Sequence, residues 1–210
     1  MAEEKKLIPI IGIDRLRMVT DGTGVRTLIG TYGCPLRCKY CLNPQSWREA
    51  YRHSSYSPES IFNQLKVDNL YFQATNGGIT IGGGEPLLHI DAIEELVHLC
   101  PKEWSMWIET SLNVDSVAVT QAAKLFDHFI VDIKTLDPEA YHRYTSGNGK
   151  VAYDNLKLLI SLVGSDRITV RVPEIPGFVD KEMQSKSVSQ LQELGITDID
   201  TFCYSTNINK

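Results

Sequence analysis

Three cysteines within a short stretch are the part of this 210-residue sequence that most clearly could do chemistry. Cys34, Cys38 and Cys41 form the pattern C-x3-C-x2-C. A 4Fe–4S cluster takes four ligands, and this loop supplies three thiolates. One iron is then left open for a ligand that is not protein, and an open position is typical of catalytic rather than structural metal centres. The pattern therefore predicts a catalytic 4Fe–4S cluster on these three residues.

The alternative for this loop is a zinc site or three incidental cysteines. Structural zinc sites usually close with a fourth Cys or a His at short spacing, whereas His53 lies in a separate polar segment. We expect no cluster role for Cys100 and Cys203, because lone cysteines usually pack as small buried apolar residues. An odd count of five cysteines, three of them clustered, argues against a disulfide framework and indicates a reducing compartment.

Polar residues follow three of the predicted strands. The first set is Gly82–Glu85, where consecutive glycines let the backbone approach a ligand closely. Glu109 and Thr110 end the next predicted strand, and Asp132 and Lys134 end the one after it. Acidic groups in such places are costly to bury without a partner or a purpose. They indicate either an ion pair of Lys134 with Glu109 or Asp132, or a binding site in which oxygen ligands hold a hard cation.

The elements that must position these residues alternate along the chain. Repeats of strand and helix at this length imply parallel strands joined by right-handed crossovers. Six such units are fewer than the eight of a closed barrel. The sequence predicts an α/β fold, an open, partial (βα)6 TIM-like barrel in residues 25–204, with an N-terminal extension in residues 1–24 and a single domain over 1–210. Strands are predicted at 25–31, 78–81, 105–109, 129–133, 168–172 and 199–204, and helices at 57–67, 91–100, 114–126, 138–144, 154–163 and 181–194.

The cysteine loop, with Tyr40 as the aromatic residue before Cys41, resembles the C-x3-C-x-aromatic-C motif of the radical S-adenosylmethionine (SAM) superfamily. In that family SAM chelates the open iron, and one electron breaks its sulfur–carbon bond to give a 5′-deoxyadenosyl radical. The resemblance implies that the backbone around Tyr40 and Leu42 faces the adenine. It also implies that the turn Gly82–Glu85 binds the methionine amino group.

The later strand ends resemble those of pyruvate formate-lyase activating enzymes and their relatives. There an acidic-Thr pair and an Asp-x-Lys element hold a monovalent cation, Na or K, beside the SAM carboxylate, which implies Glu109, Thr110 and Asp132 as cation ligands. The family more often has Asp at the position of Glu109. Arg171 resembles an arginine near the SAM carboxylate, with a surface salt bridge as the alternative. The SAM-binding residues implied are Tyr40, Leu42, Gly83, Gly84, Glu85, Asp132, Ile133, Lys134 and Arg171.

A further motif, D-G-x-G-x-R at 21–26, would alone predict only a turn. With the other motifs in the same order, it resembles the glycyl radical enzyme activases, most closely single-cluster pyruvate formate-lyase activating enzymes. No cysteine lies between Cys41 and Cys100, so the ferredoxin-like insert of many activases is absent. The resemblance implies a large glycyl radical enzyme as partner, its glycine loop near Asp21, and a flavodoxin or ferredoxin-type electron donor. The chain is expected to be a monomer with a short C-terminal cover after Tyr204.

Other functions stay open at this point. They are an anaerobic ribonucleotide reductase activase, a radical SAM enzyme acting on a small molecule, and a non-catalytic iron–sulfur or zinc module. The net charge of −5 gives no electrostatic reason to expect nucleic acid or an anionic membrane as a partner. No apolar run approaches the roughly 20 residues that span a bilayer, and the charged N-terminus lacks a secretory signal. The sequence predicts a soluble cytoplasmic protein.

Overall fold

The computed structural model describes residues 6–18 and 20–204. They fall into two compact units. Of these residues, the first unit comprises 6–18, 20–34, 43–109 and 124–127, and the second comprises 35–42, 110–123 and 128–204. The cysteine loop contributes to both, since Cys34 belongs to the first unit and Cys38 and Cys41 belong to the second. Ser205 and the residues after it lie outside the described part of the chain.

The strands of the first unit follow the order β3-β1-β2-β4-β5. Strands β2, β4 and β5 are parallel, whereas β1 pairs antiparallel with both β2 and β3. Arg26 lies opposite Gly78, and Gly78 lies opposite Ser105, so the three parallel strands begin together. Their bounds are β1 Ile8–Arg17, β2 Arg26–Thr31, β3 Ser54–Tyr56, β4 Gly78–Gly83 and β5 Ser105–Thr110.

Three helices pack in this unit: α1 Pro58–Leu65, α2 Asn69–Thr75 and α3 Ile90–Leu99. Helix α1 begins where the sequence predicts, because the Ser57 hydroxyl accepts the Ser60 N–H and a proline occupies the first turn. Its apolar side faces the core. The core side chains of this unit include Ile29, Ile61, Leu65, Phe72, Ile79, Ile81, Ile93 and Ile108, all fully buried.

The second unit contains the parallel strands β6 His128–Asp132, β7 Ile168–Glu174 and β8 Ile199–Cys203, in that order. Its helices are α4 Ser116–Ala122, α5 Pro138–Thr145, α6 Gly149–Val163 and α7 Lys181–Glu193. Each helix starts after an Asp or Asn whose side-chain oxygen accepts a first-turn N–H, which satisfies a donor that has no partner within the helix. These capping residues are Asp115, Asp137, Asn148 and Asp180.

The six predicted strands correspond to β2 and β4–β8, but the N-terminal segment differs from the prediction. Residues 8–17, expected within an extension, form β1. The sequence gives no clear signal for this strand, because it contains Pro9 and Gly12 and both residue types are depleted in strand interiors. Cys203 is exposed at the end of β8, so the expectation of a buried residue is wrong there. No helix in residues 6–18 and 20–204 is both long and apolar enough to cross a bilayer.

Candidate functional site

In the first unit, the segment that leads into Cys34 is bonded directly to the glycine turn after β4. The Gly84 N–H donates to the Thr31 carbonyl at 3.0 Å, and the Glu85 N–H donates to the Gly33 carbonyl at 2.8 Å. The Thr31 hydroxyl donates to the Gly82 carbonyl at 3.0 Å. The structure therefore brings together the first cysteine and the Gly-Gly-Gly-Glu turn.

Glycine is needed in this turn because other backbone lies too close for a side chain. A Cβ on Gly83, whose φ is +90°, would lie 2.7 Å from the Gly30 Cα. A Cβ on Gly84 would lie 2.2 Å from the Gly33 carbonyl oxygen. The Asn43 side chain donates to the Gly83 carbonyl at 3.3 Å. Sequence reasoning missed Asn43, although it stands two positions after the third cysteine.

Two buried or half-buried carboxylates lie at the same edge of this unit. Glu85 is fully buried, and its Oε1 accepts the Leu87 N–H at 3.3 Å, so it caps the 3-10 turn that follows. The Glu109 carboxylate lies beside the turn, with its Oε2 3.0 Å from the place a Cβ of Gly82 would take. Both carboxylates thus lie at the carboxyl ends of parallel strands, where sites of such folds gather.

In the second unit, the remaining cysteines lie on a loop that is bonded to the end of α5. The Arg37 N–H donates to the Thr145 carbonyl at 2.7 Å, and the Lys39 N–H donates to the Tyr144 carbonyl at 3.1 Å. The last carbonyls of a helix have no partner within the helix, so the loop satisfies them. Cys38 lies between the two donors. Burial raises the pKa of Cys38 to about 11, against the opposing effect of the Lys134 ammonium.

Lys134 is a buried cation close to that cysteine. Its Nζ lies 3.1 Å from the Asp132 Oδ1 and donates to the Tyr204 hydroxyl at 3.2 Å. Burial disfavours its charged form, but Asp132 and Tyr204 outweigh that effect and raise the pKa of Lys134. Its φ of +67° is uncommon for a residue with a side chain. The Asp132–Lys134 ion pair, which the sequence left open as an alternative to a binding site, is therefore present, and it places both charged groups near Cys38.

Two other predicted site residues of this unit, Arg171 and Thr110, make contacts with residues of the same unit. Arg171 lies opposite Asp132 in the β6–β7 register, and its Nε is 3.7 Å from Asp200, which is the salt bridge given as the alternative. Thr110 is buried, and its hydroxyl accepts the Leu112 N–H at 3.0 Å.

The side chains along the cysteine loop differ in their packing. The Tyr40 ring lies 6.1 Å from the Tyr144 ring and 5.9 Å from the Phe178 ring, centroid to centroid. Leu42 is 61% exposed, so it is not held in the core. Ile133, next to Lys134, is buried, and its N–H donates to the Val131 carbonyl at 3.2 Å. Tyr144 and Tyr204 were not predicted as site residues, since a lone aromatic residue gives no sequence signal of such a role.

Asp21, the predicted substrate contact, lies in the first unit in a different setting. It is 5% exposed, its carboxylate pairs with Arg17, and its carbonyl accepts the Thr80 hydroxyl at 2.6 Å. The structure therefore places Asp21 in the packing of the loop before β2. Its contact with a partner stays a prediction.

The donor set suits an iron–sulfur cluster better than a single metal ion. Within the described ranges 6–18 and 20–204, no group of three or more His, Cys, Asp or Glu is arranged around one ion. The zinc alternative thus finds no support among those residues. The five cysteines form no disulfide within the described part of the chain, and cluster thiolates bind separate irons, so they need not converge on one point. Cys34, Cys38 and Cys41 would hold the cluster.

Comparison with known proteins identifies the family of the chain. A family model described as the Radical SAM superfamily matches residues 28–185. The (2S)-3-sulfopropanediol dehydratase activating enzyme of Klebsiella oxytoca is 28% identical over 84% of this chain and 75% of that protein. The pyruvate formate-lyase-activating enzyme of Clostridium pasteurianum is 27% identical over 82% and 71%. The enzyme of that name from Staphylococcus aureus (strain USA300) is 32% identical over 60% and 53%.

Solved structures share the fold. SuiB of Streptococcus suis bound to S-adenosylmethionine aligns with a TM-score of 0.64 at 17% identity, over 85% of this chain and 40% of that one. QueE from Escherichia coli aligns with a TM-score of 0.54 at 15% identity, over 93% of both chains. The predicted α/β class, with an open and mostly parallel sheet, is confirmed. Because the family model matches most of its length, the chain belongs to the radical SAM superfamily.

Proposed function

We propose that this protein is an activating enzyme that installs a glycyl radical in a larger partner enzyme. The observation that carries the proposal is the similarity, at 27–32% identity, to proteins named as activating enzymes. The arrangement of the first unit supports it, because the backbone before Cys34 is bonded to the glycine turn. The proposed partner is a glycyl radical enzyme such as pyruvate formate-lyase.

The cysteine loop would hold the cluster through two separate anchors. In the first unit, the Gly33 N–H donates to the Ser46 carbonyl at 2.6 Å, which fixes the backbone before Cys34. In the second unit, the two bonds to the end of α5 fix the backbone around Cys38. When bound, the cluster and SAM supply the electron and the 5′-deoxyadenosyl group with which a hydrogen is removed from a glycine Cα.

The chain offers complementary groups for the charged ends of SAM. The buried ammonium of Lys134 and the guanidinium of Arg171 suit a carboxylate. The half-buried backbone of Gly83 and Gly84, with the carboxylate of Glu85 beside it, suits an amino group. Tyr40, Leu42 and Ile133 complete the proposed SAM contacts. Oxygen ligands from Glu109, Thr110 and Asp132 would take a monovalent cation, Na or K.

Further parts of the proposal concern the partners. The glycine loop of the partner enzyme would approach the loop around Asp21, and a flavodoxin or ferredoxin-type protein would donate the electron. We propose a monomer that works in the cytoplasm.

The first experiment is anaerobic reconstitution of the full chain with iron and sulfide. Brown 4Fe–4S absorbance and reductant-dependent cleavage of SAM are expected, followed by a glycyl radical EPR doublet when pyruvate formate-lyase is added. Cleavage of SAM without a doublet in any glycyl radical enzyme offered would remove the activase function and favour a small-molecule substrate. A colourless protein that contains no inorganic sulfide would contradict the assignment of a 4Fe–4S cluster.

Two cysteine variants test the ligand assignment. Cys38→Ser should lose the cluster completely, because a thiolate ligand is removed from the bonded loop. The matched control is Cys203→Ser, in which an exposed cysteine at the end of β8 is changed, and iron content should stay at the wild-type level. Iron and sulfide per protein chain are the measurement. The opposite pattern would show that the ligands are assigned wrongly.

A further inference from the structure

Lys134 ends in a buried ammonium group that has partners for only two of its three N–H bonds. Its Nζ pairs with the Asp132 Oδ1 at 3.1 Å and donates to the Tyr204 hydroxyl at 3.2 Å. Within residues 6–18 and 20–204, this ammonium makes no further hydrogen bond or ion pair. An ammonium group carries three donors, and a buried charge is stable only when it is paired and hydrogen-bonded. One donor therefore remains for a ligand just after the carboxyl end of β6.

The backbone holds Lys134 in a fixed place. Its φ of +67° is costly for a residue with a side chain and persists only where the surroundings enforce it. On either side, the Ile133 N–H donates to the Val131 carbonyl at 3.2 Å, and the Thr135 N–H donates to the Ile133 carbonyl at 2.8 Å. The four-carbon side chain nevertheless keeps several rotatable bonds. The direction of the ammonium group therefore depends on its side-chain partners.

Tyr204 is itself held by contacts that do not involve its hydroxyl. Its N–H donates to the Glu174 carbonyl at 2.9 Å. Its ring lies 5.5 Å from the Phe202 ring and 6.4 Å from the Tyr144 ring, centroid to centroid. The Lys134 Nζ lies 5.7 Å from the centroid of the Tyr204 ring. Phenylalanine at this position would therefore keep the ring contacts and remove only the acceptor for Lys134.

We propose that Tyr204 is a positioning residue which, together with Asp132, holds the Lys134 ammonium so that its third N–H reaches the carboxylate of SAM. The inference rests on the part of the proposed function in which Lys134 binds that carboxylate, and not on the glycine loop or the partner enzyme. A flexible lysine side chain loses conformational entropy when a ligand orders it. Partners that order the ammonium beforehand reduce this loss. Removal of the Tyr204 hydroxyl should therefore weaken SAM binding while the lysine is still present.

The test is a double-mutant cycle on the Kd for SAM, measured by equilibrium dialysis under argon. The full chain is reconstituted with iron and sulfide and kept oxidised, so that SAM is bound but not cleaved. Tyr204→Phe should raise the Kd roughly tenfold, which is within the range for a hydrogen bond to a charged group. Lys134→Met should raise it at least as much. In the double variant, Tyr204→Phe should add less than about twofold, because no ammonium is left to position.

Tyr153→Phe is the matched control, because another lysine, Lys157, places its ammonium over that ring, 4.7 Å from the centroid. Tyr153 lies in α6, is half-buried like Tyr204 and is not among the proposed SAM contacts. Its Kd for SAM should equal that of the wild type. An unchanged Kd in Tyr204→Phe, an equal rise in Tyr153→Phe or full additivity in the double variant would overturn the inference. So would loss of iron from Tyr204→Phe, since a residue that only positions Lys134 is not needed to hold the cluster.

A second ligand applies where Lys134→Met does not retain its cluster. Decarboxylated SAM keeps the adenosyl, sulfonium and amino groups but lacks the carboxylate. Tyr204→Phe should change the Kd for this ligand by less than about twofold, and an equal rise for both ligands would contradict the inference. Wild-type affinity for SAM in Lys134→Met would remove the proposed lysine contact and the inference together. Absence of a glycyl radical, with the SAM affinities as expected, would remove the activase function and leave the role of Tyr204 standing.

Discussion

Two glycine-containing loops of the first unit lie at opposite ends of the same strands. The loop 20–25 comes before β2, where Arg26, Gly78 and Ser105 are neighbours in the register. The turn Gly82–Glu85 lies at the other end, where Gly83 is paired with Thr31. Both loops match family motifs in the sequence. Their surroundings in the structure differ, because one loop packs against core residues and the other is bonded to the segment before Cys34.

The loop before β2 is organised around a buried arginine. Arg26 is 1% exposed, and its guanidinium donates to the Ile79 and Ser105 carbonyls and to the Thr80 hydroxyl, at 2.5, 2.8 and 2.6 Å. It also lies over the Trp107 ring, 4.8 Å from the centroid. Burial lowers the pKa of Arg26 to about 10. These contacts tie three strands together at their amino ends.

Glycines in that loop permit the close packing. Gly22 has a φ of +122°, and a Cβ there would lie 2.6 Å from the Trp107 ring. Gly24, with a φ of +72°, would place a Cβ 2.6 Å from the Thr75 carbonyl oxygen. The neighbours are therefore core side chains and backbone of the fold. At the other end, the glycine turn is bonded to the backbone of Thr31 and Gly33, just before Cys34. The comparison teaches that the glycines of one loop are required by core packing, whereas those of the other are required by close contact with the segment before Cys34.

The largest loss of stability is expected from Arg26→Met. The change removes the donors to the buried Ile79 carbonyl and to the part-buried Ser105 carbonyl, and each acceptor left unpaired costs about 1–3 kcal/mol. We expect the cluster-free protein to lose about 3–5 kcal/mol of its free energy of unfolding, measured with urea. Arg52→Met, at an exposed arginine of the same unit, is the control and should change little. Equal losses in the two variants would refute a structural role for the buried guanidinium.

The next largest effects are expected from alanine at one glycine of each loop: Gly84→Ala should change SAM affinity, and Gly22→Ala should change stability. A Cβ in Gly84→Ala meets the Gly33 carbonyl oxygen, so the turn must move away from the segment before Cys34. Relief of such overlap costs about 1–3 kcal/mol, which is about 5- to 150-fold in affinity if it is lost on binding. We expect weaker SAM binding in the reconstituted protein, measured by equilibrium dialysis.

Gly22→Ala is the counterpart at the amino ends. It should lower the free energy of unfolding by about 1–3 kcal/mol, through the clash with Trp107 and the left-handed φ, and leave SAM affinity within twofold or so. If Gly22→Ala weakened SAM binding as much as Gly84→Ala, the distinction between the two loops would not hold.

Much of the fold and part of the candidate site could be predicted from the sequence. Strand periodicity and helix caps predicted β2, β4–β8 and most helices, because local signals decide these elements. β3 was missed, since its residues Ser54–Tyr56 are too few and too polar to show a pattern. The glycine turn was found because its composition is unusual. The packing of Cys38 against Tyr144 and the bond between Lys134 and Tyr204 were not, because only the tertiary structure brings these distant residues together.

The smallest effect is expected at a third glycine of the first unit. Gly12 lies in β1, and a Cβ there would meet nothing within 4 Å, with no left-handed φ to oppose it. Gly12→Ala should therefore raise the free energy of unfolding slightly, by about 0.5 kcal/mol, since alanine loses less conformational freedom on folding than glycine. SAM affinity should be unchanged. A loss of stability comparable to that of Gly22→Ala would show that glycine in this unit is required for some reason other than close contact and positive φ.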